Sequence, residues 1–194
     1  MPAATQTPSL GDVGRGEVAG SRDADDNGVV LSAERLVTGR LVLTPLIEQD
    51  ADVMVEVLGD EQMHTFTGGA PLSLDQLRSR YRRLVAGRSS DETELWFNWI
   101  VRLGGAQPVG VLQATVTADG TRADVAWEIG VPWQGHGYAS EAAAALVRWL
   151  INSGLTEVRA HIHPEHLASA RVAARAGLAP TTDLVEGEVV WRLA

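Results

Sequence analysis

The sequence predicts an α+β domain built around a mixed sheet flanked by helices. Three observations point there. From Leu36 onward, segments of strand period and helix period alternate. Three strand-like runs, at 96–103, 109–118 and 123–131, follow one another with only the turn signals Gly104-Gly105 and Asp119-Gly120 between them, the pattern of an antiparallel meander. The last of these runs leads straight into a glycine-containing turn and a long amphipathic helix.

Taken in order, residues 1–35 precede the regular pattern. They are rich in Gly, Ala, Ser, Thr and Asp, with six acidic and three basic residues and no aromatic one. Such a stretch buries too little apolar area to offset its ordering entropy, so a flexible acidic tail is expected, followed by one domain over 36–194. Leu36 to Leu46 alternates at Leu41 and Leu43 and predicts a first strand. Asp50 then opens a helical stretch through Val53, Met54, Val57 and Leu58. A second helix is expected from Ser73 to Ala86, with Leu74, Leu77, Tyr81, Leu84 and Val85 on one face. After the meander, Ala142, Ala145, Leu146, Trp149 and Leu150 recur at helical spacing within Gly137 to Asn152, and Gly154 lies past the end. A strand over Val158 to Ile162, a short helix from Leu167 to Ala176 stopped by Gly177, and a strand from Glu188 to Leu193 complete the order.

Composition narrows the chemistry. The chain has 194 residues, 45% apolar and 21% charged, a formal net charge of -9 and no cysteine, which excludes a disulfide scaffold, a thiol nucleophile and a cysteine zinc site. A domain of this size buries roughly 70% of its unfolded surface and needs no structural metal. All sixteen basic residues are Arg, so Schiff-base chemistry and phosphate-binding lysines are also excluded. An acidic chain without a basic stripe speaks against nucleic acid and anionic membranes as partners. No apolar run reaches the roughly 18 residues of a membrane span and the start has no signal-peptide pattern, so a cytoplasmic protein is expected.

The chemistry concentrates in AWEIGVPWQGHGYASEA, where a strand runs into the turn Gln134, Gly135, His136, Gly137, Tyr138 and Ala139 and then a helix. Unpaired amides in a helix's first turn, reinforced by its dipole, hold a phosphate or pyrophosphate without lysine. A glycine turn before a helix is also often only a turn.

This turn resembles the Q/R-x-x-G-x-G/A acetyl-CoA pyrophosphate signature of the GNAT superfamily of N-acetyltransferases, in the strand-to-helix position that family requires. RLVTGRLVLTPLIEQDADVM is similar to the opening strand and helix of its ribosomal-protein (RimJ/RimL-like) branch, and IHPEHLASARVAARAGL to a late strand and helix. The resemblance covers 36–194 in order. It implies a GNAT fold, a mixed and mostly antiparallel sheet whose central strands splay apart, with acetyl-CoA as co-substrate in the gap.

The resemblance also implies site residues. The cofactor-binding set would be Gln134 through Ala139 at the pyrophosphate, with Ile129, Gly130 and Val131 beside the pantetheine arm and supplying a backbone oxyanion donor. His166 stands where the family usually has Asn, and Ser169 matches the Ser of its N-x-x-S pattern, both near the cofactor. Ser169 is also the candidate proton donor to the thiolate, since Ala173 occupies the position of the family's frequent Tyr; a water or Tyr138 is the other choice.

Alternation along 123–131 places Val125, Trp127, Ile129 and Val131 on one face and Ala126, Glu128 and Gly130 on the other, a small face with room beside one carboxylate. Glu128 is the first candidate for general base, acting through water, against a structural ion pair. His161, in the strand beside the splay, is the second. His161 and His163 lie two residues apart, but no carboxylate motif supports a metal reading and no metal is expected. Trp127 and Trp149 read as core, while Trp133 and the segment Met63, His64, Phe66 and Thr67 are candidates for the acceptor entrance. Arg78, Arg80, Arg82 and Arg83 spread around a helix and read as a solvated face.

The expected activity is acetyl-CoA-dependent N-acetyl transfer by direct attack of a primary amine in a ternary complex. The leading acceptor is a peptide or protein N-terminal amine. An amine of pKa about 10.4 carries a handicap of about 4.6 kcal/mol at pH 7 against about 1.4 for an α-amine near 8, and sparse base equipment favours the latter. A small-molecule amine is the alternative acceptor, and a non-catalytic CoA-binding module a third reading. A homodimer is left open.

Overall fold

Leu36–Val37 (β1) and Leu41–Pro45 (β2) form a hairpin where one strand was expected. Its turn is closed by Thr38, whose Oγ1 accepts from the Leu41 amide at 3.0 Å. The structure, a computed structural model, describes residues 31–66 and 68–193. Residues 1–30 of the expected tail, Thr67 and Ala194 therefore lie outside the described residues. Residues 31–35 are packed: Leu31 and Ala33 rest on the core, and Trp99 Nε1 donates to the Glu34 carbonyl at 2.8 Å.

Two helices follow, Ala51–Val57 (α1) and Leu74–Val85 (α2). A capping box starts α2: Gln76 N–H donates to Ser73 Oγ, and Ser73 N–H donates to Gln76 Oε1. The meander is Glu94–Leu103 (β3), Gln107–Thr117 (β4) and Arg122–Ile129 (β5). Then come Tyr138–Asn152 (α3), Glu157–Ile162 (β6), Leu167–Arg175 (α4), Leu178–Val185 (β7) and Glu188–Leu193 (β8). β7 is the strand the pattern did not announce. It sits at the sheet edge, is mostly exposed and contains Pro180, so it carries no alternation and tolerates a proline.

The strands lie in one sheet, order β1-β2-β3-β4-β5-β6-β8-β7, and only β5 and β6 pair in parallel. Adjacent residues of β3 face opposite ways. Ile100 packs with Met54, Leu77 and Tyr81 under α1 and α2, while Trp99 packs with Leu112, Leu146 and Leu150 under α3. Trp149 meets Trp99 edge-on at 5.1 Å, as its helical position predicted. Among the described residues no helix is long and apolar enough to cross a membrane.

β5 and β6 are in register only from Arg122 to Asp124, opposite Glu157 to Arg159. Beyond that rung each strand stays with its other neighbour, β5 with β4 as far as Ile129 and β6 with β8 as far as Ile162. The strands therefore part and leave a gap. Arg159 pins its closed end through a two-pronged ion pair to Asp124, at 3.0 and 3.1 Å. This is the splay that the resemblance implied.

Candidate functional site

The gap runs toward the turn that starts α3. Gly135 and Gly137 adopt φ of +79° and +81°, the left-handed region that glycine enters without a Cβ penalty, and Gly137 is the helix N-cap. Among the described residues, the amides of Gly135 through Ser140 have no hydrogen-bond partner. A Cβ on Gly135 would meet nothing within 4 Å, so the space beside that residue is open. The turn is braced from behind: Gln134 Nε2 donates to the Ile129 carbonyl at 2.9 Å, and His136 Nδ1 lies 2.9 Å from the Gln134 carbonyl. Free amides on a rigid turn at the positive end of a helix dipole fit a pyrophosphate.

Sequence reasoning missed the side chain that comes to this turn from far away. Arg40, in the hairpin turn just before β2, donates through Nε to Glu141 Oε2 at 2.7 Å and through Nη1 to the His136 carbonyl at 3.0 Å. Its guanidinium carbon sits 4.7 Å from the centroid of Tyr138, whose ring stacks on His136. Burial works against ionisation of Glu141, but hydrogen bonds from Thr38 and from the Arg40 amide and guanidinium hold its carboxyl below the usual range. The absence of lysine was the signal that an arginine should be sought at the turn; nothing in the sequence said which.

Along the gap, parity decides what each residue of β5 faces. Gly130 N–H donates to the Val109 carbonyl, so the amides of Glu128 and Gly130 point at β4 and, beyond the last rung with β6, those of Trp127 and Ile129 point at the gap. Of the expected backbone donors, Ile129 thus faces the gap, Gly130 is committed to β4, and Val131 opens a short 3-10 turn over Val131–Trp133. Trp127, expected in the core, is only half-buried. Its Nε1 donates to Ser169 Oγ on α4 at 3.3 Å.

The opposite face is less roomy than expected. A Cβ on Gly130 would stand 2.6 Å from the Val57 carbonyl and 2.9 Å from the Trp133 ring, so the end of α1 and Trp133 fill that space. Glu128 lines a small cavity of about 30 Å³ with Leu46, Leu77, Tyr81, Asn98 and Gln113. The Tyr81 hydroxyl and Asn98 Nδ2 are buried there without a partner among the described residues. Burial, and next the Glu128 charge, push the Tyr81 phenol above its ordinary value, so it stays protonated. The space suits one water with three polar neighbours.

The histidines separate. His161 shares the sheet face of Glu128 by register, and its Nε2 lies 3.2 Å from Asp124 Oδ1. His163 Nδ1 instead accepts from the Glu165 amide. His166 stacks flat on Phe66 at 4.3 Å, joining the 61–68 segment to the start of α4; burial, then His163, lowers its pKa. His64 Nε2 is buried in that segment without a partner among the described residues, and Thr67 lies outside them.

The sequence matches the family model described as an acetyltransferase (GNAT) domain over residues 40–179. No curated protein matches it. Among solved structures, it is similar to RimL, a ribosomal L7/L12 alpha-N-protein acetyltransferase in complex with coenzyme A, at 15% identity and TM-score 0.69, covering 82% of this chain and 97% of that one. Aminoglycoside acetyltransferase AAC(6')-Ib with coenzyme A matches at 21% identity and TM-score 0.64, covering 78% and 92%. An acetyltransferase from Bacillus anthracis matches at 17% and 0.66, covering 82% and 96%. At such identities the likeness is one of fold.

Proposed function

The chain belongs to the GNAT acetyltransferase family, and from that premise we propose that it moves the acetyl group of acetyl-CoA to an N-terminal α-amine of a peptide or protein, by direct attack in a ternary complex. The supporting observation is a separation of roles across the gap. Glu128 faces the α1 and α2 side of β5, and Trp127 with Ser169 faces the α4 side. A proton acceptor for an incoming amine and a proton donor for a departing thiolate thus stand on opposite faces of one strand.

Acetyl-CoA supplies an acyl group already activated on a thiol leaving group. The amides of Gly135 through Ala139 hold the pyrophosphate, with Gln134 and His136 keeping the turn in shape. An amide on the gap edge of β5, Trp127 or Ile129, donates to the thioester carbonyl as charge builds on it. Glu128 takes the amine's proton through a water in the small cavity, where Tyr81 and Asn98 supply further partners. Ser169 Oγ already accepts from Trp127, so its own proton is free for the thiolate. His166 flanks the entrance from its stack on Phe66.

The α-amine is favoured because the candidate base equipment is sparse: one carboxylate, Glu128, lines the small cavity, and an amine of pKa about 8 needs less help at neutral pH than one of about 10.4. Release of free thiol from acetyl-CoA, measured against unblocked peptides, N-blocked lysine peptides, aminoglycosides and small amines, tests the proposal. The highest kcat/KM is expected for unblocked peptides. Turnover confined to aminoglycosides or small amines would replace the acceptor, and CoA binding without turnover would leave a binding module.

A further inference from the structure

We propose that Arg40 is the cationic part of the cofactor site, holding the Gln134 to Ala139 turn in its anion-accepting shape and offering its remaining nitrogen to the pyrophosphate. The inference rests on the reading that this turn holds the pyrophosphate. Two of the three guanidinium nitrogens are used, Nε on Glu141 and Nη1 on the His136 carbonyl. The third, Nη2, has no partner among the described residues and stands 3.6 Å from where a Cβ on Gly137 would lie, at the residue that caps α3.

The arrangement is preorganised. Glu141 binds the Arg40 backbone amide at 2.8 Å and the Thr38 hydroxyl at 2.6 Å as well as the guanidinium, so the hairpin and helix are tied at three points. Tyr138 underlies the cation. Half of the Arg40 side chain remains exposed, 49%, against 20% for Glu141, so the guanidinium is open to a ligand while its carboxylate partner is mostly covered. A surface ion pair alone stabilises a fold little, and a pair built only for stability has no need to reach a carbonyl inside the turn. Backbone amides are neutral and leave the formal charge of a pyrophosphate uncompensated, and in a chain without lysine the side chain suited to offset it is arginine.

The test compares CoA with pantetheine, which lacks the pyrophosphate, by calorimetry and by steady-state kinetics with their acetyl thioesters. Arg40→Gln should weaken CoA binding roughly tenfold to a hundredfold, the span of a charge-assisted hydrogen bond. Pantetheine binding should stay as in the wild type, and the KM for acetyl-CoA should rise in step with the CoA dissociation constant. Equal weakening of both ligands would make Arg40 merely structural, and unchanged CoA affinity would also overturn the proposal. If the variant does not fold, arginine modification by phenylglyoxal on the wild-type protein, mapped by mass spectrometry, reads the same point. CoA should protect Arg40 and pantetheine should not; absent or equal protection counts against it. Failure of the underlying reading looks different, because Gly137→Val, which disrupts the turn itself, would then bind CoA as tightly as the wild type.

Discussion

The Trp127 indole donates to Ser169 Oγ across 3.3 Å, from the strand on one side of the splay to the helix that covers its other side. That bond occupies a lone pair of the hydroxyl and leaves its hydrogen uncommitted, as the proposed donation to the thiolate requires. Ser169→Ala should therefore lower kcat about a hundredfold with little change in KM for acetyl-CoA. The deficit should shrink when the acetyl donor carries a more acidic thiol. A constant deficit across donors would return Ser169 to a packing role.

Glu128 is expected to act on the amine alone. Glu128→Gln should lower kcat/KM for the acceptor about a hundredfold at neutral pH, and the remaining rate should climb with pH up to the amine's own pKa, since only amine already neutral reacts. If the pH profile keeps its wild-type shape, the role passes to solvent or to His161, whose Nε2 lies 3.2 Å from Asp124 Oδ1.

Gly137→Val places a β-branched side chain at φ +81°, at a cost of about 1–2 kcal/mol. Thermal denaturation should show that loss without ligand. It should also show no rise in Tm when CoA is added, because the amides of the turn no longer present one concave surface. A full CoA-induced shift in the variant would remove the pyrophosphate from this turn.

Burial, followed by the neighbouring His163, lowers the pKa of His166, so its neutral ring is favoured in the fold. The contribution is therefore complete above the unfolded value of about 6.5 and is lost as pH falls through the folded value. Wild type should lose Tm relative to His166→Phe between about pH 7.5 and 5.5, since Phe keeps the stack on Phe66 and does not titrate. A pH-independent difference between the two would contradict it.

Much of this fold was legible because its elements carry strong local signals. The capping residue Ser73, the glycines between the meander strands and the apolar stripe of α3 each mark a boundary or a face by chemistry that acts within a few residues. β7 was illegible because an exposed edge strand with a proline has neither alternation nor a buried face. The candidate turn was legible for the same local reason, since glycine at positive φ and a following helix are neighbours in sequence. Arg40 was not, because it joins residue 141 only after the first hairpin docks on α3.

By itself, then, the sequence determined that a strand must end in a glycine turn at the head of a helix, that no lysine could serve there, and that Glu128 and Trp127 must face opposite ways, since strand parity follows from chain geometry alone. Tertiary structure decided which groups those residues meet. Only the folded sheet closes the β5 to β6 pairing at Asp124 and Arg159, brings Ser169 to Trp127, fills the space beside Gly130 with α1, and carries Arg40 to the turn. Each of these is a contact between segments far apart in the chain, set by packing of whole elements and therefore absent from any local pattern.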